Sequence, residues 1–111
     1  MQLYGGIDLH STSNHIGIID ARDRRVLKKK LLNDPRLIVA TLEPYREELA
    51  GIVVESTFNL YWLVDHLVRE GYRVHLANPS GMKRYECLKH CADIDDAFSL
   101  AHLLRLWIVT A

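Results

Sequence analysis

The chain has 111 residues and a mass of 12.8 kDa, and its 14 basic and 14 acidic residues leave no formal net charge. A chain of this length can bury one hydrophobic core, and 49% hydrophobic with 25% charged residues is an average globular composition. This excludes an extensively disordered chain and a protein that coats nucleic acid through bulk positive charge. No apolar stretch reaches the roughly 18 residues of a membrane span. Two cysteines are too few for a disulfide scaffold, so we expect a cytoplasmic protein.

Three apolar runs in the first third of the chain, at 3–9, 15–19 and 26–32, predict β-strands. Only a few residues connect them, so neighbouring strands are expected to be antiparallel and to form a meander. Three consecutive lysines lie in the middle of the third run, and lysine is typical of an exposed sheet edge.

Helix and strand patterns alternate after residue 33. Asp34 and Pro35 indicate a helix start, as a cap and a first-turn proline. Apolar residues at 38, 42, 45 and 49 share one helical face, and Pro44 inside that pattern predicts a kink or an early end. We then expect a strand buried on both faces at 52–54, an amphipathic helix at 60–68 closed by Gly71, and a short strand at 72–76. Helices are predicted at 81–89 and from 93 to the end.

The predicted order is therefore three strands, then helix, strand, helix, strand, then two helices. Strands joined through helices pair in parallel, so the sequence predicts an α/β fold with a mixed sheet and helices packed on it. This is the order of the ribonuclease H-like (RuvC-like) fold, in one domain over residues 1–111. The apolar segment at 101–108 lacks the usual helix-ending residues, which favours a fragment of a longer protein.

Four carboxylates stand at unusual positions in this pattern. Asp8 lies inside an apolar strand, and Glu55 follows a strand at the end where α/β sheets gather functional groups. Asp93 and Asp96 are three residues apart at a helix start and share one face. Mg²⁺ prefers such oxygen ligands, and two metals about 3.5–4 Å apart can promote phosphodiester chemistry.

Each acid also has a structural explanation. Asp93 can cap the last helix, with Asp96 favouring the positive end of its dipole. Glu55 can pair with a lysine, as acids at strand ends often do. Asp8 needs a partner in either case, because an unpaired charge inside an apolar strand is costly to bury.

The sequence contains a series of motifs in this order: Gly6-Ile7-Asp8, Val53-Val54-Glu55-Ser56-Thr57, the Asn78-Pro79 turn, Asp93-Ile94-Asp95-Asp96-Ala97, Leu100-Ala101 and Leu103-Leu104-Arg105. This series resembles that of the DEDD transposases of bacterial insertion sequences, whose N-terminal domain is RuvC-like. The resemblance spans essentially the whole chain, and the last acidic motif is its most specific part.

This resemblance implies that Asp8, Glu55, Asp93 and Asp96 bind metal, with Mg²⁺ or Mn²⁺ as the cofactor. It implies metal-dependent DNA cleavage and strand transfer during transposition, in the bacterial cytoplasm and associated with the nucleoid. The implied partners are DNA, a structured guide RNA in some members, and further copies of the full-length protein. Members also carry a C-terminal domain with a reactive serine, so we expect this chain to be the N-terminal domain alone.

The last acidic motif departs from the family pattern, which usually has a threonine before its first acid and basic residues within it. Here those positions hold Ala92, Ile94 and Asp95. Asp95 could therefore replace Asp93 or Asp96 as a ligand. The shared helical face favours the pair three residues apart.

Two clusters of basic residues are candidates for contacts with phosphates. The segment 22–30 holds six basic residues against one acid, and a second set precedes the last acidic motif. The candidates are Arg22, Arg24, Arg25, Lys28 and Lys30 in the first, and Lys83 and Arg84 in the second. A solvated sheet edge is the alternative explanation for the first cluster.

Two other groups of residues are candidate sites. His10 follows Asp8 by two on the same strand face, where it could position a water or a phosphate, or be an ordinary surface histidine. Cys87, His90 and Cys91 share a helical face but lack the second ligand pair of a zinc site, so we interpret the cysteines as buried thiols.

Three alternative functions remain open. A stand-alone Holliday-junction resolvase would use the same acids, and a non-catalytic ribonuclease H-like interaction domain would not need them. A sugar-kinase or actin-like ATPase shares the fold class. Its phosphate loop needs a glycine just after the strand aspartate, where this chain has Leu9 and His10.

Overall fold

A computed structural model describes residues 2–56, 61–76 and 96–110, except the side chains of 56, 96 and 107–110. A five-stranded sheet with the order β3-β2-β1-β4-β5 forms its centre. The strands are β1 (Leu3–Leu9), β2 (Ser13–Asp20), β3 (Arg25–Leu32), β4 (Leu49–Ser56) and β5 (Val74–Leu76). The helices are α1 (Pro35–Leu42), α2 (Tyr61–Arg69) and α3 (Asp96–Thr110).

The first three strands form the predicted antiparallel meander, with β1 beside β2 and β2 beside β3. β4 then pairs in parallel with the free side of β1, and β5 pairs in parallel with β4. The sheet is therefore mixed, as predicted, and β1 and β4 are two of its three interior strands. The lysine-bearing β3 lies at one edge, also as predicted.

α1 begins as the sequence indicates, because the Asp34 carboxylate accepts a hydrogen bond from the Arg36 backbone N–H and Pro35 occupies the first turn. The prediction that Leu49 continues the face of this helix is wrong. α1 ends at Leu42 and a short 3₁₀ helix covers Glu43–Tyr45, because Pro44 has no N–H to continue the ladder. Leu49 instead begins β4.

α2 buries Leu63 and Leu67 and ends before Gly71, whose φ of +93° is a left-handed conformation that favours glycine. The predicted helix at 81–89 and the Asn78-Pro79 turn lie outside the described residues. No helix within the described ranges is long and apolar enough to cross a bilayer.

The two faces of the sheet carry separate hydrophobic clusters. One face packs against α1 and α2 through residues such as Ile7, Ile18 and Val54. The other packs against α3 through Tyr4, Val53 and their neighbours. We refer to these faces as the α1–α2 side and the α3 side. Because side chains alternate along a strand, each strand position can be assigned to one side.

Candidate metal site

Asp8 and Glu55 lie side by side on the α3 side of the sheet. They are Cα partners in the parallel ladder between β1 and β4, so both side chains leave the sheet in the same direction. Both lie on the α3 side because side chains alternate along β4 and Glu55 is two residues from Val53, which belongs to the α3 cluster. Both are buried, at 7% and 9% relative exposure. Two carboxylates from distant segments thus meet at the carboxyl ends of adjacent parallel strands, which is where α/β sheets place functional groups.

Asp8 has a histidine partner. The ring nitrogen Nε2 of His10 lies 3.1 Å from Asp8 Oδ2, and the His10 side chain is half exposed. A carboxylate oxygen can only accept, so Nε2 carries the proton in this contact. The prediction that His10 lies beside the acids is confirmed, and the contact holds the Asp8 carboxylate in one orientation.

His15 is a member of this cluster that the sequence reading missed. It is the Cα partner of Asp8 across the antiparallel β1–β2 ladder, so it shares the α3 side with Asp8. Its ring meets that of His10 edge to face, with centroids 5.7 Å apart. The sequence indicates only that a short connection joins the two strands, and the register that sets His15 opposite Asp8 comes from the structure.

Glu55 has a buried oxygen that is not satisfied by the described part of the chain. Its Oε2 atom is shielded from solvent and has no hydrogen-bond partner there. A buried carboxylate oxygen without a donor or a cation is costly, so native proteins rarely keep one without a reason. A lysine partner was the structural explanation offered by the sequence. No such contact satisfies this oxygen within the described ranges.

A close helix–sheet contact brings α3 to the same site. Gly6 precedes Asp8 by two residues on the same side, and a Cβ on Gly6 would overlap the Ala97 carbonyl and come within 2.8 Å of the Ala101 nitrogen. A Cβ on Gly17 of β2 would come within 2.9 Å of the Phe98 ring. Only glycines permit the helix backbone to lie this close. Asp96, the first residue of α3, therefore directly precedes the residue that rests on Gly6.

The structure thus brings together two of the four predicted acids and places the backbone of a third nearby. The Asp96 side chain, Asp93 and Asp95 lie outside the described residues, so their choice as ligands stays a prediction. Among the side chains that are described, no group of three or more His, Cys, Asp or Glu residues is arranged to hold a metal.

The family model of the IS110-type DEDD transposases matches residues 5–108, which is almost the whole chain. The chain belongs to this family. A comparison with curated protein sequences gave no match. Among solved structures, a Ppx/GppA phosphatase from Aquifex aeolicus is similar with a TM-score of 0.49 and 14% identity. That similarity covers 86% of this chain and 42% of the phosphatase chain, so this chain spans less than half of that protein's length.

All five candidate phosphate contacts of the first basic cluster of this DEDD transposase family member are exposed: Arg22, Arg24, Arg25, Lys28 and Lys30. Arg24 also donates from Nε to the buried Asp20 carboxylate at 3.0 Å, and the Arg25 guanidinium also lies over the Phe98 ring at 4.3 Å. The remaining candidates, Lys83 and Arg84, and the cysteine–histidine cluster at 87–91 lie outside the described residues.

A second polar cluster forms contacts between the β2–β3 turn and α3. Asp23 has a φ of 66°, and its Oδ1 lies 2.7 Å from His102 Nδ1 and 3.6 Å from Arg105 Nε. The preceding Asp20 accepts hydrogen bonds from the backbone N–H groups of Arg22 and Arg24. These bonds hold the pKa of Asp20 below its usual value, and the bond from the Arg24 backbone N–H has the largest effect. The turn acids therefore have structural partners, whereas Glu55 Oε2 has no hydrogen-bond partner in the described part of the chain.

Proposed function

We propose that this chain is the divalent-metal-binding domain of a DNA transposase, with a ribonuclease H-like fold. Asp8, Glu55, Asp93 and Asp96 would hold Mg²⁺ or Mn²⁺ for cleavage and strand transfer. The observation that carries the proposal is the pair of buried carboxylates on adjacent interior strands, one of which has an oxygen without a hydrogen-bond partner among the described residues. Family membership supports the proposal independently.

The donor set at this position fits a hard divalent cation. Mg²⁺ and Mn²⁺ prefer carboxylate oxygens, and a cation would satisfy the buried Glu55 oxygen, for which residues 2–56, 61–76 and 96–110 supply no donor. When bound, such ions polarise a phosphodiester and lower the pKa of an attacking water. Two contacts of the protein fix the geometry of the site. His10 orients the Asp8 carboxylate, and the close packing of α3 on Gly6 sets the position of the Asp96 backbone at the start of α3.

The topology supports the ribonuclease H-like assignment within the broader α/β class. The sheet has the order β3-β2-β1-β4-β5 with only β2 running against the others, in agreement with three antiparallel strands followed by parallel ones. Asp8 lies on the first strand and Glu55 on the fourth, the strands on which the sequence pattern put them. A guide RNA, homo-oligomerisation, nucleoid association and a second serine-bearing domain belong to the proposal for the full-length protein and rest on family resemblance alone.

Calorimetric titration with Mn²⁺ or Mg²⁺ tests the metal site directly. We expect the unaltered chain to release heat and to gain thermal stability, because a ligand bound only by the folded state raises the free energy of unfolding. Asp8→Asn and Glu55→Gln should lose most of both effects. Asp65→Asn is the matched control, since Asp65 is an exposed acid on α2.

The metal-free state gives a second readout of the same site. Glu55→Gln removes a buried charge, one oxygen of which has no partner within the described ranges, so in the presence of a chelator it should be at least as stable as the unaltered chain. In the presence of Mn²⁺ the unaltered chain should be the more stable of the two proteins. Equal heats for all four proteins, or no heat for any, would reject the metal site and leave the non-catalytic interaction domain as the better hypothesis.

A further inference from the structure

The alternation of side chains along β3 divides its three consecutive lysines between the two faces of the sheet. Lys28 is the Cα partner of Gly17, which contacts Phe98 of α3, so Lys28 lies on the α3 side. Lys30 is the partner of His15 and lies on the same side. Lys29 is the partner of Ile16, which is buried in the α1–α2 cluster, so Lys29 lies on the opposite side.

Lys30 stands in one cross-strand row with the carboxylates. The register pairs Lys30 with His15, His15 with Asp8, and Asp8 with Glu55. With neighbouring strands about 4.8 Å apart, the Lys30 and Asp8 backbones are separated by roughly 10 Å. That is about three nucleotide steps of 3.4 Å along a DNA strand. The row therefore runs from an exposed cation at the sheet edge to the buried acids at its centre.

We propose that the α3 side of β3 binds the phosphate backbone of a DNA strand and leads it across His15 toward Asp8 and Glu55. Lys28 and Lys30 would supply the contacts. This inference rests on the proposed function and names the surface by which the DNA is held. Because β3 is exposed at the edge of the sheet, a strand can reach these lysines without displacing α3, which packs on β1, β2 and β4.

The charge balance explains why the site needs such a surface. The chain has no formal net charge, so no long-range field draws DNA to it. The two buried acids repel phosphates until a cation is bound. A local pair of lysines on the acid side offsets that repulsion where the strand approaches.

Protection of an exposed strand edge is the competing explanation for these lysines, and it makes no distinction between the two sides. Lys29 and Lys30 therefore form a matched pair. They are adjacent, equally charged and both exposed, and they differ in the side on which they lie. A difference between their effects on DNA binding can come only from the position of the charge.

Fluorescence anisotropy with a labelled DNA oligonucleotide measures that difference. The buffer contains a chelator, so that the result does not depend on the metal site and a failure here is distinguishable from a failure of metal binding. We expect Lys30→Gln to weaken binding roughly three- to tenfold and to lower the slope of log affinity against log salt by about 0.7–0.9. Lys29→Gln should leave both unchanged, and Lys30→Arg should restore them.

Circular dichroism confirms that each variant is folded, and calorimetry should show that Lys30→Gln still binds Mn²⁺ as the unaltered chain does. Equal losses from Lys29→Gln and Lys30→Gln would overturn the proposal in favour of bulk charge. No loss from Lys30→Gln and Lys28→Gln together, or no DNA binding by the unaltered chain at low salt, would also overturn it.

Discussion

Replacement of Gly6 by alanine should destabilise the domain by driving α3 off the sheet. A Cβ at this position would overlap the Ala97 carbonyl, and it would lie 2.8 Å from the Ala101 nitrogen and 2.9 Å from Leu100 Cβ. The first two of these are backbone atoms, so no side-chain rotation relieves the contact. The helix itself must move.

The magnitude follows from two opposing effects. Overpacking of a tight core contact costs about 1–3 kcal/mol, and more where backbone must shift. The alanine also lowers the conformational entropy of the unfolded chain, which offsets the loss of stability by about 0.4–1 kcal/mol. We therefore expect a net loss of roughly 1–2 kcal/mol, or more. For a domain of this size, each kcal/mol of lost stability lowers the melting temperature by about 4–8 °C or somewhat less.

Gly5→Ala is the matched control. A Cβ on Gly5 points to the opposite side, where its nearest neighbours are side-chain atoms at 3.4 Å and 3.5 Å. That variant should melt within about 2 °C of the unaltered chain. Thermal denaturation followed by circular dichroism measures both. If Gly6→Ala melts with the unaltered chain, or if Gly5→Ala loses as much, the close seating of α3 on Gly6 is refuted.

Three further predictions concern polar groups outside the metal site. Burial raises the pKa of Tyr72, so its neutral form stabilises the fold below pH 10 and this contribution is lost as the pH rises through the folded value. Tyr72→Phe should flatten the fall of melting temperature above pH 10, and it removes a hydroxyl without a hydrogen-bond partner in the described ranges. The pKa of Asp20 is lowered by the hydrogen bonds it accepts, so its contribution is present above about pH 4 and is lost on acidification. Asp20→Asn should lower the melting temperature at pH 6, with a difference that shrinks toward pH 2. Asp23→Ala breaks the contact with His102 and places alanine at a positive φ, so urea unfolding should show a loss of about 1–2 kcal/mol. Asp23→Asn, which tolerates that φ, should lose less.

The antiparallel meander and its lysine-bearing edge were predictable because they follow from local signals. Short connections require antiparallel pairing, the lysines of β3 mark an edge, and Asp34 caps α1 through its side chain as expected. The boundary between α1 and β4 was not predictable from periodicity. Leu49 fits the helical face by spacing, yet Pro44 ends the helix and frees Leu49 to join the sheet.

The site was predictable in its acids but not in its supporting residues. Asp8 and Glu55 stand out because each is a charge beside an apolar strand. His15 does not stand out, because its role depends on standing opposite Asp8, and that requires the register of the hairpin. The packing role of Gly6 and Gly17 is not predictable from the sequence either, although Gly6 belongs to the first motif. Their importance comes from the helix that packs against them, which is distant in the chain.

The parallel pairing of β1 with β4 has a consequence for how the chain folds during synthesis. The β1–β2–β3 meander consists of contacts close in sequence, which form quickly, whereas the ladder that unites Asp8 with Glu55 must wait for the long crossover through α1. Until β4 is made, β1 carries an open edge of unpaired backbone groups that invites association with other chains. We expect the carboxylate pair to assemble after the meander, and the domain to be most prone to aggregation until β4 has paired with β1.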